Sequence, residues 1–107
     1  MRTSELTGRA LDWAVAQSGS DGTLGFWSNP DWSPSTKWEH GGPIIERERV
    51  SVMETDADSG QWEASIWISS DKHMPLIVEG PTPLIAAMRC YVASQLGDEV
   101  DVPGGLR

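Results

Sequence analysis

With a single cysteine, Cys90, the sequence cannot close a disulfide within one chain. One cysteine beside two histidines, His40 and His73, also cannot assemble a conventional structural zinc site. Cations are scarce: 8 Lys plus Arg face 16 Asp plus Glu, a net charge of −8. That balance repels phosphate backbones and argues against direct nucleic-acid binding. No apolar run approaches the roughly 20 residues of a membrane-crossing helix. The start, Met1-Arg2-Thr3-Ser4-Glu5, leads into no apolar signal segment. Together these absences predict a protein of a reducing cytoplasm, away from membranes.

Catalytic and ligand-binding signatures are equally scarce. Gly19, Gly22 and Gly25 follow a helical pattern rather than a strand, so they make no dinucleotide fingerprint. The stretch Asp56-Ala57-Asp58-Ser59-Gly60 resembles the opening of a calcium loop, but its glycine comes one position early and Trp67 stands where the closing glutamate belongs. It reads as a hairpin turn. There is no phosphate loop and no nucleophile elbow. Cys90 falls in the middle of an apolar helical pattern, the setting of a small core hydrophobe rather than of a nucleophile. No catalytic residue, cofactor or metal is expected.

What the chain does contain is enough local punctuation for a fold. Its 107 residues fit a single domain spanning 1–107. A first helix is predicted over 7–18, with Thr7 as N-cap, Leu6 and Leu11 as a hydrophobic staple, and Gly19 as a left-handed stop. Residues 19–43 read as loop, rich in Gly and Pro and carrying Phe26, Trp27, Trp32 and Trp38. After Pro43 a helical turn is expected. A hairpin follows over 49–68: Val50 and Val52 share one face of its first strand, and Trp62, Ala64, Ile66 and Ile68 share one face of its second. A short strand is expected at 76–78. The clearest boundary is Thr82-Pro83, N-cap and first helical residue of a helix over 83–96 that Gly97 ends. Apolar nearly all round, with Arg89 its only charge, that helix should be covered on several sides. The tail is expected to fray beyond Pro103. The predicted class is α+β: a small antiparallel sheet around the 49–68 hairpin, packed on two main helices at 7–18 and 83–96.

Several residues stand out as candidates for a binding surface. Trp27, Trp32 and Trp38 are loop-borne, and Trp is enriched at interface hot spots, although such rings more often anchor a loop to the core. Trp13 and Trp67 lie off the main apolar faces, packed under the loop or exposed as a patch. His40 stands beside Trp38 and near Glu46, with which it could form an acid–base pair, although a solvated or capping role is the commoner one for such a histidine. Asp12, one turn after Arg9, most simply forms a surface ion pair with it. The candidate interaction surface is therefore Asp12, Trp13, Trp27, Trp32, Trp38, His40 and Glu46.

Some segments resemble a known set. They are Ser4-Glu5-Leu6-Thr7-Gly8 with Leu11-Asp12-Trp13-Ala14-Val15-Ala16; Ser33-Pro34-Ser35-Thr36-Lys37-Trp38 with Gly41-Gly42-Pro43-Ile44-Ile45-Glu46-Arg47-Glu48; and Gly80-Pro81-Thr82-Pro83-Leu84-Ile85-Ala86-Ala87-Met88-Arg89 with Tyr91-Val92-Ala93-Ser94 and Leu96-Gly97-Asp98-Glu99-Val100. In this order they resemble the phage NinX-like proteins, a family of unknown function found in phages and prophages. The resemblance implies a phage or prophage origin and location in the cytoplasm of a bacterial host. It brings Asp12, Trp38 and Glu46 into the recognisable pattern.

The leading expectation is a non-enzymatic accessory protein that binds another protein, phage or host. A rival is a small hydrolase or nuclease using Asp12, His40 and Glu46, which would have to converge. A third is a DNA mimic, whose Glu54, Asp56, Asp58 and Glu63 would have to form one stripe, joined by Asp98, Glu99 and Asp101. A homodimer is also expected, to cover what the chain itself leaves bare of the helix over 83–96.

Overall fold

The computed structural model describes residues 1–19, 31–55, 60–68 and 71–106; Phe26, Trp27 and the turn at 56–59 lie outside them. Among the described residues, three α-helices and a three-stranded antiparallel sheet form an α+β fold: α1 (Gly8–Ser18), α2 (Trp38–Glu48), β1 (Ser51–Glu54), β2 (Trp62–Ile68), β3 (Asp71–Gly80) and α3 (Pro83–Leu96). The strands run in the order β1-β2-β3.

Helix α3 is the centre of the molecule. Thr82 caps it, its hydroxyl accepting from the Ile85 N–H at 3.1 Å, and Pro83 opens it. Gly97 ends it at φ 85°, where a side chain would be strained. Its residues Leu84, Ala86, Ala87, Met88, Cys90, Tyr91 and Val92 are all buried. The sheet packs on one side of it and α1 and α2 on others. Much of the helix surface that motivated a homodimer is thus covered from within the chain, while Leu96 at its end is exposed. Arg89, the helix's one charge, is buried too. Its Nε donates to the Leu6 carbonyl at 2.8 Å and its Nη1 to the Glu79 carbonyl at 3.0 Å, tying the N-terminal segment and the end of β3 to α3. Desolvation lowers its pKa, but a guanidinium stays charged.

The sheet follows the alternation in the sequence. Ala64 and Ile66 are buried, Trp62 and Val52 pack on the core, and Trp67 points away. β3 is longer than the short strand expected at 76–78, because Pro75 sits in an edge strand, where the ladder does not need its missing N–H. The strand expected from residue 49 begins at Ser51 instead: Arg49 is in the left-handed conformation (φ 56°) and closes α2.

Four other local expectations are corrected. α2 begins at Trp38, inside the stretch that reads as loop, and Pro43 lies within it rather than at its start. The tight fit of Gly41 explains this: a Cβ there would clash with the Pro34 carbonyl and approach Leu84 Cδ2 to 2.6 Å. The glycine serves close packing, not a break. Thr7 makes no side-chain cap, although its carbonyl accepts the Leu11 N–H at 3.2 Å. Gly19 is extended (φ −111°) rather than left-handed, with the Tyr91 hydroxyl against it. The tail docks instead of fraying. Val100 N donates to the Met1 carbonyl at 2.9 Å and Thr3 N to the Asp98 carbonyl at 2.8 Å. Val100 and Val102 are buried, a 3-10 turn spans Gly104–Leu106, and Leu106 packs on the core.

Candidate interaction surface

The turn that leads into α2 is held by side chains from two helices. Pro34 has no N–H to satisfy, and the four other N–H groups from Ser33 to Lys37 are all paired. Ser33 N donates to His40 Nδ1 at 2.9 Å, and Ser35 N to Asp12 Oδ1 at 3.0 Å. Thr36 N and Lys37 N both donate to the Ser33 carbonyl, at 3.1 and 2.8 Å. Arg9 Nη1 donates to the Trp32 carbonyl at 2.9 Å. The chain entering α2 is therefore latched to α1 by Asp12 and Arg9 and to α2 itself by His40.

Asp12 is 2% exposed, so the surface ion pair expected with Arg9 is instead a contact from a half-exposed guanidinium to a buried carboxylate, at 3.9 Å. Burial raises its carboxyl above the usual 3.8, opposed by Ser35, Arg9 and His40. Ser35 Oγ, also buried, lies near enough to favour the ionised carboxylate but meets no partner at hydrogen-bonding geometry. His40 accepts at Nδ1, so its ring proton sits on Nε2. A Ser-His-Asp relay needs the opposite, Nδ1–H directed at a carboxylate. Asp12 and His40 serve here as acceptors for backbone amides.

Glu46 is not part of this cluster. At about 100° per residue, its place on α2 lies about 120° from His40. The buried arc of α2 is Gly41 and Ile44, whereas Trp38, Glu39, Pro43 and Glu46 are exposed. The hydrolase set of Asp12, His40 and Glu46 is thus split between an internal latch and an outer face. Among the described residues no group of three or more His, Cys, Asp or Glu is placed to hold a metal ion.

The remaining candidates divide the same way. Trp13 and Trp32 are half-buried against the core, and Trp27 lies outside the described residues. Trp38 is 57% exposed at the first residue of α2. With Gly42 and Glu46 at spacings of four it forms one stripe on the outer face, flanked by Glu39 and Pro43. Of the carboxylates proposed as a DNA-like stripe, Glu54 and Glu63 fall on opposite faces of the sheet. Glu54 has the strand parity of inward-facing Val52, Glu63 has the parity of outward-facing Trp67, and Asp56 and Asp58 lie outside the described residues.

Cys90 is fully buried and its thiol is pushed up to about 12 by desolvation, which fits a core side chain. Among the described residues no helix is long and apolar enough to cross a membrane. The family model for Bacteriophage P22, NinX, matches residues 2–95, from the N-terminal segment through nearly all of α3. No curated protein matches the chain.

Proposed function

The chain belongs to the Bacteriophage P22 NinX family, and from that premise we propose that it is a non-enzymatic accessory protein that binds another protein, phage or host, in the host cytoplasm. The observation that carries this reading is Trp38. It is a large aromatic, more than half exposed, on the first turn of a helix whose entry is fixed by four paired backbone amides. A rigidly presented Trp loses little side-chain entropy on binding, and Trp is the residue most enriched at interface hot spots. Gly42 beside it leaves the ring's flank open, and Glu39 and Glu46 provide a polar rim. The acidic balance of the chain favours a partner with basic groups near the contact. Photo-crosslinking from position 38 in host cells tests the reading. A discrete protein adduct is expected at position 38 and not at Glu54, which is exposed elsewhere. Equal adducts at both positions, or none at either, would overturn it.

A further inference from the structure

One face of the sheet is covered by α3; on the other, the described side chains of Met53, Trp67, Ile77 and Glu79 are exposed. On that second face, cross-strand partners fall into rows. Met53, Glu63 and Glu79 make the first row, and Ser51, Ser65 and Ile77 the second. Trp67 stands beyond them on β2. Met53 is 59% exposed, Trp67 62% and Ile77 52%, so three of the large hydrophobics exposed among the described residues share this one face.

Glu63 and Glu79 are direct cross-strand partners. Like charges in that position repel, and no cation pairs with either among the described residues. At the β3 edge, Glu79 also borders an open groove of about 550 Å³, whose rim carries Asp98 and Glu99 against Arg2, with the N-terminal ammonium 3.9 Å from Glu99. Among the described side chains, the face thus carries Ile77 and Trp67 toward one end and the Glu63–Glu79 pair, beside Met53, toward the other, and Glu79 borders the groove.

We infer that this second face of the sheet is a docking site for a basic amphipathic helix of a partner protein, distinct from the Trp38 stripe. The helix would set apolar side chains on Ile77 and Trp67 and cations on the Glu63–Glu79 pair. The spacing fits. Same-face positions along a strand are about 7 Å apart, close to the roughly 6 Å between positions i and i+4 of a helix. A cation one turn from an anchor on Ile77 therefore reaches the acidic row. Strand addition fits less well: Pro75 interrupts the β3 edge, and Arg89 already occupies the Glu79 carbonyl. A second copy presenting the same face would bring no described cation to the Glu63–Glu79 pair, so charge complementarity favours the basic helix over it.

The inference is tested by titrating the full chain with a synthetic Leu/Lys amphipathic helix and following the Trp67 indole and Ile77 methyl signals by NMR. A matched Leu/Glu helix serves as the control. The Leu/Lys helix is expected to shift Trp67 and Ile77 while leaving Trp38 in place. The double substitution Glu63→Gln with Glu79→Gln should weaken it about tenfold, and Trp67→Ala should weaken it at unchanged amide dispersion. Equal binding of the Leu/Glu helix, shifts confined to Trp38, or no shift of Trp67 at millimolar peptide would overturn the inference. So would a concentration-dependent dimer that perturbs Trp67 without peptide. None of these outcomes bears on the crosslinking at position 38, so the two sites fail separately.

Discussion

The carboxylate of Asp12, buried on α1, accepts the backbone N–H of Ser35, 23 residues further along the chain, at 3.0 Å. This bond joins the turn before α2 to the first helix, and it puts a carboxylate where a sequence reading puts a surface ion pair. Removing the acceptor leaves a buried amide without a partner. Asp12→Ala is expected to cost about 1–3 kcal/mol in urea unfolding, and Asp12→Asn, which keeps a carbonyl acceptor, distinctly less. Loss of equal size in both variants would show that the charge, not the acceptor, matters.

The same carboxylate gives a pH dependence of defined sign. Burial raises the Asp12 pKa in the folded state, so the folded protein holds that proton more tightly than the unfolded chain. Ionised Asp12 therefore subtracts from stability at neutral pH. The subtraction fades as pH falls through the raised pKa toward the ordinary 3.8. Wild-type stability relative to Asp12→Asn is expected to rise between pH 7 and pH 4. A relative fall over that window would contradict the burial.

Adjacent glycines in α2 should respond oppositely to alanine. A Cβ on Gly41 meets the Pro34 backbone and Leu84, whereas one on Gly42 meets nothing within 4 Å. Gly42→Ala is expected to stabilise by about 0.5–1 kcal/mol through helix propensity. Gly41→Ala should destabilise by about 1–3 kcal/mol through overpacking. Thermal or denaturant midpoints decide this, and a gain at both positions would mean that the contact of α2 with the turn and α3 is looser than described.

Cys90 should be silent toward thiol reagents in the native protein. It is fully buried, its thiol is held near 12, and its Sγ faces the Leu76 carbonyl at 3.5 Å. Modification by a disulfide reagent is expected to proceed only as fast as the protein opens, and to become rapid in denaturant. Rapid native-state labelling would remove Cys90 from the core.

Much of this fold is legible in local sequence, because the signals that specify it are local. Thr82, Pro83 and Gly97 punctuate α3 in a way that depends on a few neighbours only, and the alternation from Trp62 to Trp67 fixes the inward and outward faces of β2. What was not legible rests on contacts distant in sequence. Gly41-Gly42-Pro43 reads as a breaker until Pro34 and Leu84 are seen to require a glycine. The tail beyond Pro103 looks free until Leu106 is found packed on the core. β3 continues through Pro75 only because it is an edge. The latch is the least legible feature, since Arg9 three residues before Asp12 has the spacing of a surface pair. One signal is present: Asp12 and Ala16, four residues apart on one helix face, both have short side chains, and both are buried.

Binding of a protein by the exposed Trp38 stripe on α2 is tested most directly by matched affinity capture from host cells, infected and uninfected. Wild-type and Trp38→Ala baits would be compared at equal folded concentration, and any retained protein titrated against both. The expected result is a protein retained by the wild type whose affinity drops at least about 30-fold with Trp38→Ala, the size of a hot-spot loss. A partner retained equally by both baits would contradict it.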